Sequence, residues 1–98
     1  MTPPTHLDGA KVTRFVIIDS SISPSGKTIH TIFGEEKDTD FASRLAICSY
    51  DDSSGFYLFY CDDNWKVIDD GFGDTLEEIL LQAEFEYEGI TTKWEVMV

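Results

Sequence analysis

Along this chain, short apolar runs alternate with clusters of turn-forming residues, and one stretch alone repeats at helical spacing. Residues 14–19 (RFVIID) are a β-branched run and read as a strand. Residues 20–27, with Pro24 and Gly26, are turn chemistry, and residues 28–33 alternate as a second strand. Together they predict a hairpin with a long loop. Residues 34–40 (GEEKDTD) read as a polar connector. Residues 41–50 become a strand from about Arg44, with a short helix at the start as the alternative. Leu45, Ile47 and Ser49 take one parity there, and Arg44, Ala46 and Cys48 the other. Residues 51–55 (DDSSG) are a turn. Phe56 to Cys61 carries large apolar groups on both parities, as expected of a central strand contacted on both faces. Asp62-Asp63-Asn64 predicts a tight turn, because Asp and Asn tolerate the left-handed region. Residues 65–68 return as a strand, and residues 69–73 read as an irregular acidic loop.

The helical stretch follows. Asp74 or Thr75 serves as N-cap, each with a glutamate three residues later (Glu77 or Glu78), which gives a capping box in either frame. Gly89 is placed as the left-handed C′ stop. Between them Leu76, Ile79, Leu80, Ala83 and Tyr87 line one helical face. Residues 92–98 alternate again, with Trp94, Val96 and Val98 inward, and form a last strand. The order β-β-β-β-β-α-β predicts an α+β fold: an antiparallel β-sheet of about five to six strands with one C-terminal-half α-helix packed on one face. Residues 1–98 are one domain, with residues 1–10, which hold Pro3, Pro4 and Gly9, as a loose lead-in.

Charge changes this picture, because it is lopsided. Residues 1–50 carry six carboxylates against five Lys/Arg, whereas residues 51–98 carry thirteen against Lys66 and Lys93, so nearly all of the net −12 lies in the second half. Such a field repels nucleic acid and anionic lipid and attracts cationic partners. An apolar content of 42% still places the chain with globular domains rather than disordered acidic tails. The start, MTPPTHLDGAK, has neither a basic region nor an apolar run of secretory type, which points to the cytoplasm. If the 51–55 turn centres on Ser53, Cys48 faces Leu58 and Cys61 faces Leu45, so the thiols sit on different rungs and stay reduced.

Candidate chemistry is sparse. Asp51-Asp52, Asp62-Asp63 and Asp69-Asp70 occupy turns, but none continues into a complete calcium loop, so no metal site is expected. Of the two histidines, His6 lies in the lead-in, and His30 reads as an ordinary exposed strand residue without a nucleophile at a telling spacing. Residues 23–28 (SPSGKT) end like a phosphate loop but lack its first glycine and its helix. The expectation is a non-enzyme without cofactor. The back of the helix is more informative. Leu81 and Phe85 lie about 140° and 180° from Leu76, one turn apart and framed by Glu77, Glu78 and Glu88. That reads as an apolar anchor in an acidic rim, unless Phe72, the N-terminal segment or a second subunit covers it.

Residues 55–65 (GFYLFYCDDNW), then 74–78 (DTLEE) and 82–89 (QAEFEYEG), combine an aromatic strand, a D-x-x-W hairpin and a helix ending A-E-F-E-Y before a strand with Trp. Over residues 55–95 the chain resembles the immunity proteins of polymorphic bacterial toxin systems in size, acidity and simple α+β form. The resemblance implies a cytoplasmic inhibitor of a toxin and assigns no chemistry to any residue. With the charge, it predicts an acidic inhibitory binding protein for a basic partner, a toxin or nuclease. Leu81 and Phe85 would be its anchors, and Glu77, Glu78, Glu88, Asp69, Asp70, Asp62 and Asp63 its charged rim. Direct nucleic-acid or membrane binding is not expected. The alternatives are a nucleic-acid mimic from a mobile element that blocks a defence nuclease, and a non-catalytic homo-oligomer such as a homodimer.

Overall fold

A computed structural model describes residues 2–25, 29–32, 34–38, 42–51 and 54–97. Phe33, Phe41, Val98, the Gly26-Lys27-Thr28 triplet and Asp52-Ser53 at the centre of the expected turn lie outside the described residues. The strands are β1 His6–Leu7, β2 Ala10–Ile17, β3 Ser23–Pro24, β4 Ile29–Ile32, β5 Glu35–Asp38, β6 Arg44–Ser49, β7 Phe56–Cys61 and β8 Val67–Gly73. The helix α1 spans Leu76–Glu86, and β9 Tyr87–Glu88 and β10 Glu95–Val96 follow it. The main sheet is antiparallel in the order β1-β2-β6-β7-β8, and β10 shares the outer edge of β2 with β1. The pairs β3–β9 and β4–β5 form two small ribbons. This is the α+β arrangement the hydrophobic pattern predicts, with one helix in the C-terminal half.

The centre of the molecule is the β6–β7 pair. Leu45, Ile47, Leu58 and Tyr60 face α1 and pack with Val16, Ile79, Ala83, Tyr87 and Ile90. Ala46, Cys48, Phe59 and Cys61 face the other way and pack with Val12, Phe15, Leu7, Ala10 and Trp65. Both faces of both strands are therefore buried, as the double-parity run of β7 requires. A bulge in β2 keeps it in step: the register moves from Val12 opposite Cys48 to Arg14 opposite Ile47. The extra residue puts Val12 and Phe15 on one face, while the Thr13 hydroxyl donates to the Ile47 carbonyl at 3.0 Å.

Several expectations give way. The strand at 14–19 does not pair with the one at 28–33: β2 pairs with β6, and β4 turns back on β5, within the stretch expected to be a connector. A long apolar strand gains more from a central position, with neighbours on both sides, than from a sequence-adjacent partner. The acidic run 69–73 is not a loop but the body of β8, an edge strand whose weak propensity is overridden by an unbroken ladder from Phe56–Gly73 to Tyr60–Asp69. The opening residues are not a loose lead-in: Leu7 pairs with Ala10, Val12 N–H donates to Thr5 O at 2.9 Å, and Pro3 and Leu7 are buried. The β7–β8 turn takes its left-handed residue at Trp65 (φ 63°), not at an Asp or Asn, because the indole packs edge-on against Phe15 under the Arg44 guanidinium. Val96 is exposed rather than inward, since β10 pairs over two residues only and the partly buried residues of that segment are Trp94 and Met97.

The helix is capped at Thr75, one of the two expected sites. Its Oγ1 accepts from the Glu78 N–H at 3.2 Å, and Glu78 Oε2 accepts from the Asp74 N–H at 2.7 Å. The helix ends at Glu86, short of the expected stop, because Tyr87 and Glu88 join Pro24 and Ser23 in a ladder. Gly89 does adopt positive φ, 94°, in the turn beyond. The Glu84 carboxylate holds that turn by accepting from Gly89 N–H at 2.9 Å and from Thr91 N–H and Oγ1 at 3.0 and 2.6 Å.

Cys48 lies opposite Tyr57 and Cys61 opposite Arg44, one residue out of the expected register but still on separate rungs. Burial pushes both thiols up to about 12. Neither should react with iodoacetamide at neutral pH in the folded protein, and both should react once it is unfolded in denaturant. Rapid labelling of either thiol in the native state would contradict this packing.

Candidate functional site

The exposed positions of α1 are Glu77, Glu78, Leu81, Gln82 and Phe85. Ile79 and Ala83 are buried and Leu76 and Leu80 partly so, which leaves Leu81 64% and Phe85 47% exposed on the outer side, one turn apart. Phe72, one group expected to cover them, instead lies against Tyr57 on the far face of the sheet. Among the described residues no lysine or arginine forms an ion pair with Glu77 or Glu78. Both belong to the first helical turn, where they also suit the helix dipole. Glu88 is exposed on β9, directly after the helix. The structure therefore brings Leu81, Phe85, Glu77 and Glu78 together on one element, with Glu88 at its end.

The aspartates of the expected rim lie elsewhere. Asp63 is exposed in the β7–β8 turn. Asp62 is engaged in shaping that turn: its Oδ1 accepts from the Asn64 and Lys66 N–H groups at 2.8 and 2.9 Å. Those bonds, Lys66 first, hold its carboxyl below the ordinary range. Asp70 is exposed opposite Phe59, on the sheet face away from α1. Asp69, its neighbour, points to the helix side and is committed internally.

That commitment is the feature the sequence does not announce. His30 on β4 is not an exposed strand residue; its side chain is only 12% exposed. Its Nδ1 lies 2.6 Å from Asp69 Oδ2 on β8, and its Nε2 lies 2.7 Å from Glu86 Oε2 at the end of α1. The ring also sits edge-on to Tyr60, with centroids 4.6 Å apart. Tyr60 donates its hydroxyl proton to Glu86 Oε1. Glu86 is 1% exposed, the single buried charged residue described. A signal for it exists: Glu86 stands three residues after Ala83 and seven after Ile79, which are helical core spacings. No comparable pattern marks His30.

With a carboxylate at each ring nitrogen, His30 donates from both only as imidazolium. Burial alone would lower its pKa, but the hydrogen bonds to Asp69 and Glu86 outweigh it and raise it above the usual value. Burial, reinforced by Glu86, drives the Tyr60 hydroxyl pKa far up, so it remains a donor at every physiological pH. Each ring nitrogen of His30 is thus occupied by a carboxylate. Among the described residues no group of three or more His, Cys, Asp or Glu is placed to hold a metal ion, and no helix is long and apolar enough to cross a membrane.

A raised folded-state pKa means that His30 contributes its full stabilisation below the unfolded value of 6.5 and loses it as pH rises through the folded value above that. Depressed carboxyls act in the opposite sense: Glu84, held low first by Thr91, contributes above its unfolded value of 4.5 and loses its share as pH falls. Urea unfolding at about pH 6 and about pH 9 should show the protein weaker on the alkaline side, and His30→Gln should flatten that difference. An equally steep alkaline loss in the variant would assign the effect to another group. Compared with known family models, curated proteins and solved structures, the chain matches none.

Proposed function

We propose that this chain is an acidic inhibitory binding protein of the bacterial cytoplasm that neutralises a basic protein, as an immunity protein neutralises a toxin. The outer face of α1 is the contact surface in this reading. The observation that carries it is the pair Leu81 and Phe85, exposed one turn apart, with Glu77 and Glu78 beside them and not ion-paired to any lysine or arginine among the described residues. A surface helix ordinarily spends that face on polar side chains. An aromatic and a leucine inside a charged rim have instead the make-up of an interface anchor.

The charge selects the partner. A nuclease must hold phosphates, so its active site is basic, and an acidic face can lie across it without doing chemistry. Complementary charge speeds encounter, whereas desolvated anchors slow release. Glu77, Glu78 and Glu88 act in the first role, and Leu81 and Phe85 in the second. The thirteen carboxylates of residues 51–98 supply the long-range field.

The test uses the basic protein encoded by the adjacent reading frame, expressed with and without this chain. Co-expression should restore growth, and the purified pair should form a complex. Phe85→Ala should weaken that complex by about 2 kcal/mol or more, as loss of a central aromatic anchor does. Since Phe85 is 47% exposed, its removal should cost the fold well under the 3–5 kcal/mol of a buried phenylalanine, as read by urea unfolding. Neutralising Glu77, Glu78 and Glu88 together should slow association and flatten its salt dependence, with less effect on dissociation. Unchanged affinity in Phe85→Ala, or a core-sized loss of stability, would remove the helix face from consideration.

A further inference from the structure

On the sheet face away from α1, three aromatic rings form a row across neighbouring segments. Tyr50 directly follows β6, Tyr57 lies on β7, and Phe72 lies opposite Tyr57 on β8. Tyr50 and Tyr57 meet with centroids 5.2 Å apart and planes at 88°, Tyr57 and Phe72 with centroids 5.1 Å apart and planes at 63°. Rings this steeply inclined meet edge to face, so each contact occupies the π face of one ring of the pair and not of both. Phe72 is 55% exposed, and both tyrosines are only partly buried. Gly55 makes this placement possible, since a Cβ there would collide with the Phe72 ring.

Carboxylates stand beside the row. Asp70 precedes Phe72 by two residues on β8 and so shares its face. The Tyr50 hydroxyl donates to the Asp8 backbone carbonyl at 2.9 Å, which draws the β1–β2 turn against the ring. After burial, the nearby Asp8 is the largest influence raising the Tyr50 hydroxyl pKa, and Asp70 adds to it. The other end of the same face shows what such rings can hold: the Arg44 guanidinium lies 5.3 Å over Trp65. Among the described residues no lysine or arginine lies over Tyr50, Tyr57 or Phe72.

We propose that Tyr50, Tyr57 and Phe72, with Asp8 and Asp70, form a seat for an arginine side chain presented by a protein partner. Aromatic faces attract a cation through their quadrupole, and two carboxylates add an anionic rim. Arginine suits this setting better than lysine. Its flat guanidinium stacks on a ring while its fork pairs with a carboxylate, and it sheds water more readily than an ammonium. A chain of net −12 favours cationic occupants throughout. The seat lies on the far side of the sheet from α1, so it stands or falls apart from the helix-face reading.

The probe is a capped Gly-Arg-Gly peptide, with the citrulline and lysine peptides as controls, followed by amide NMR titration at physiological ionic strength. The arginine peptide should give saturable shifts centred on Asp8, Tyr50, Tyr57, Asp70 and Phe72. Phe72→Leu, which keeps an apolar group and removes the ring, should weaken it about two- to fivefold, the worth of an exposed cation–π contact. Asp70→Asn should weaken it as well, and the spectra of both variants will report whether the fold is intact. Equal binding of the citrulline or lysine peptide would overturn the proposal. So would non-saturating shifts spread over Glu77 and Glu78, or an unchanged response in a folded Phe72→Leu. Shifts at the same residues on raising protein concentration alone would assign the face to a second copy of the chain and likewise overturn it.

Discussion

Two adjacent strands with apolar side chains on both faces cannot be satisfied by a single covering layer. In β6 and β7, Leu45, Ile47, Leu58 and Tyr60 point one way and Ala46, Cys48, Phe59 and Cys61 the other. The rest of the chain is disposed around that demand. The helix covers the first set, while the curled sheet, the N-terminal hairpin and Trp65 close over the second. Register decides which residues fall to which side. With Cys48 opposite Tyr57, the aromatic row of Tyr50, Tyr57 and Phe72 shares the Cys48 face; a one-residue slip would turn an entire strand over.

The helix-side cluster also contains a charge. Burying a carboxylate costs several kcal/mol unless partners offset it. Glu86 takes its partners from β4 and β7, and Asp69 links the same histidine to β8. Such a network contributes less net stability than geometric definition: α1, β4, β7 and β8 are bound to one another in a single arrangement. It also redraws the acidic surface. Asp62, Asp69, Glu84 and Glu86 are engaged as hydrogen-bond acceptors, so they keep their charge but are less available for direct contact with a partner than the sequence suggests.

Much of the architecture was legible because its signals are local. The capping box at Thr75, the helical spacing of Ile79 and Ala83 and the double-parity run of β7 each specify an element without reference to the rest of the chain. The same periodicity places Leu81 and Phe85 on the outer side of the helix, but whether another segment covers them there was not legible. What escaped was non-local. Nothing near residues 14–19 indicates that their partner is residues 44–49 rather than the next strand. Asp69 to Gly73 is a strand only because β7 is beside it. His30 and Glu86 are 56 residues apart, and although Glu86 stands at core spacing on its helix, nothing local names the histidine as its partner. The aromatic row needed both the register and the edge strand before it could be seen.

The two tryptophans divide between the two packed faces. Trp65 is buried in the cluster opposite the helix, Trp94 packs against the helix-side cluster, and neither indole N–H has a hydrogen-bond partner among the described residues. An indole removed from water without a partner emits at short wavelength, and Trp65 lies beneath a guanidinium as well. Each half of the interior thus carries its own intrinsic fluorophore. With one tryptophan replaced by phenylalanine, the other becomes a spectroscopic reporter for a single face of the sheet. The two faces can then be followed separately through unfolding, and their cooperativity becomes a measurable property of the β6–β7 pair that joins them.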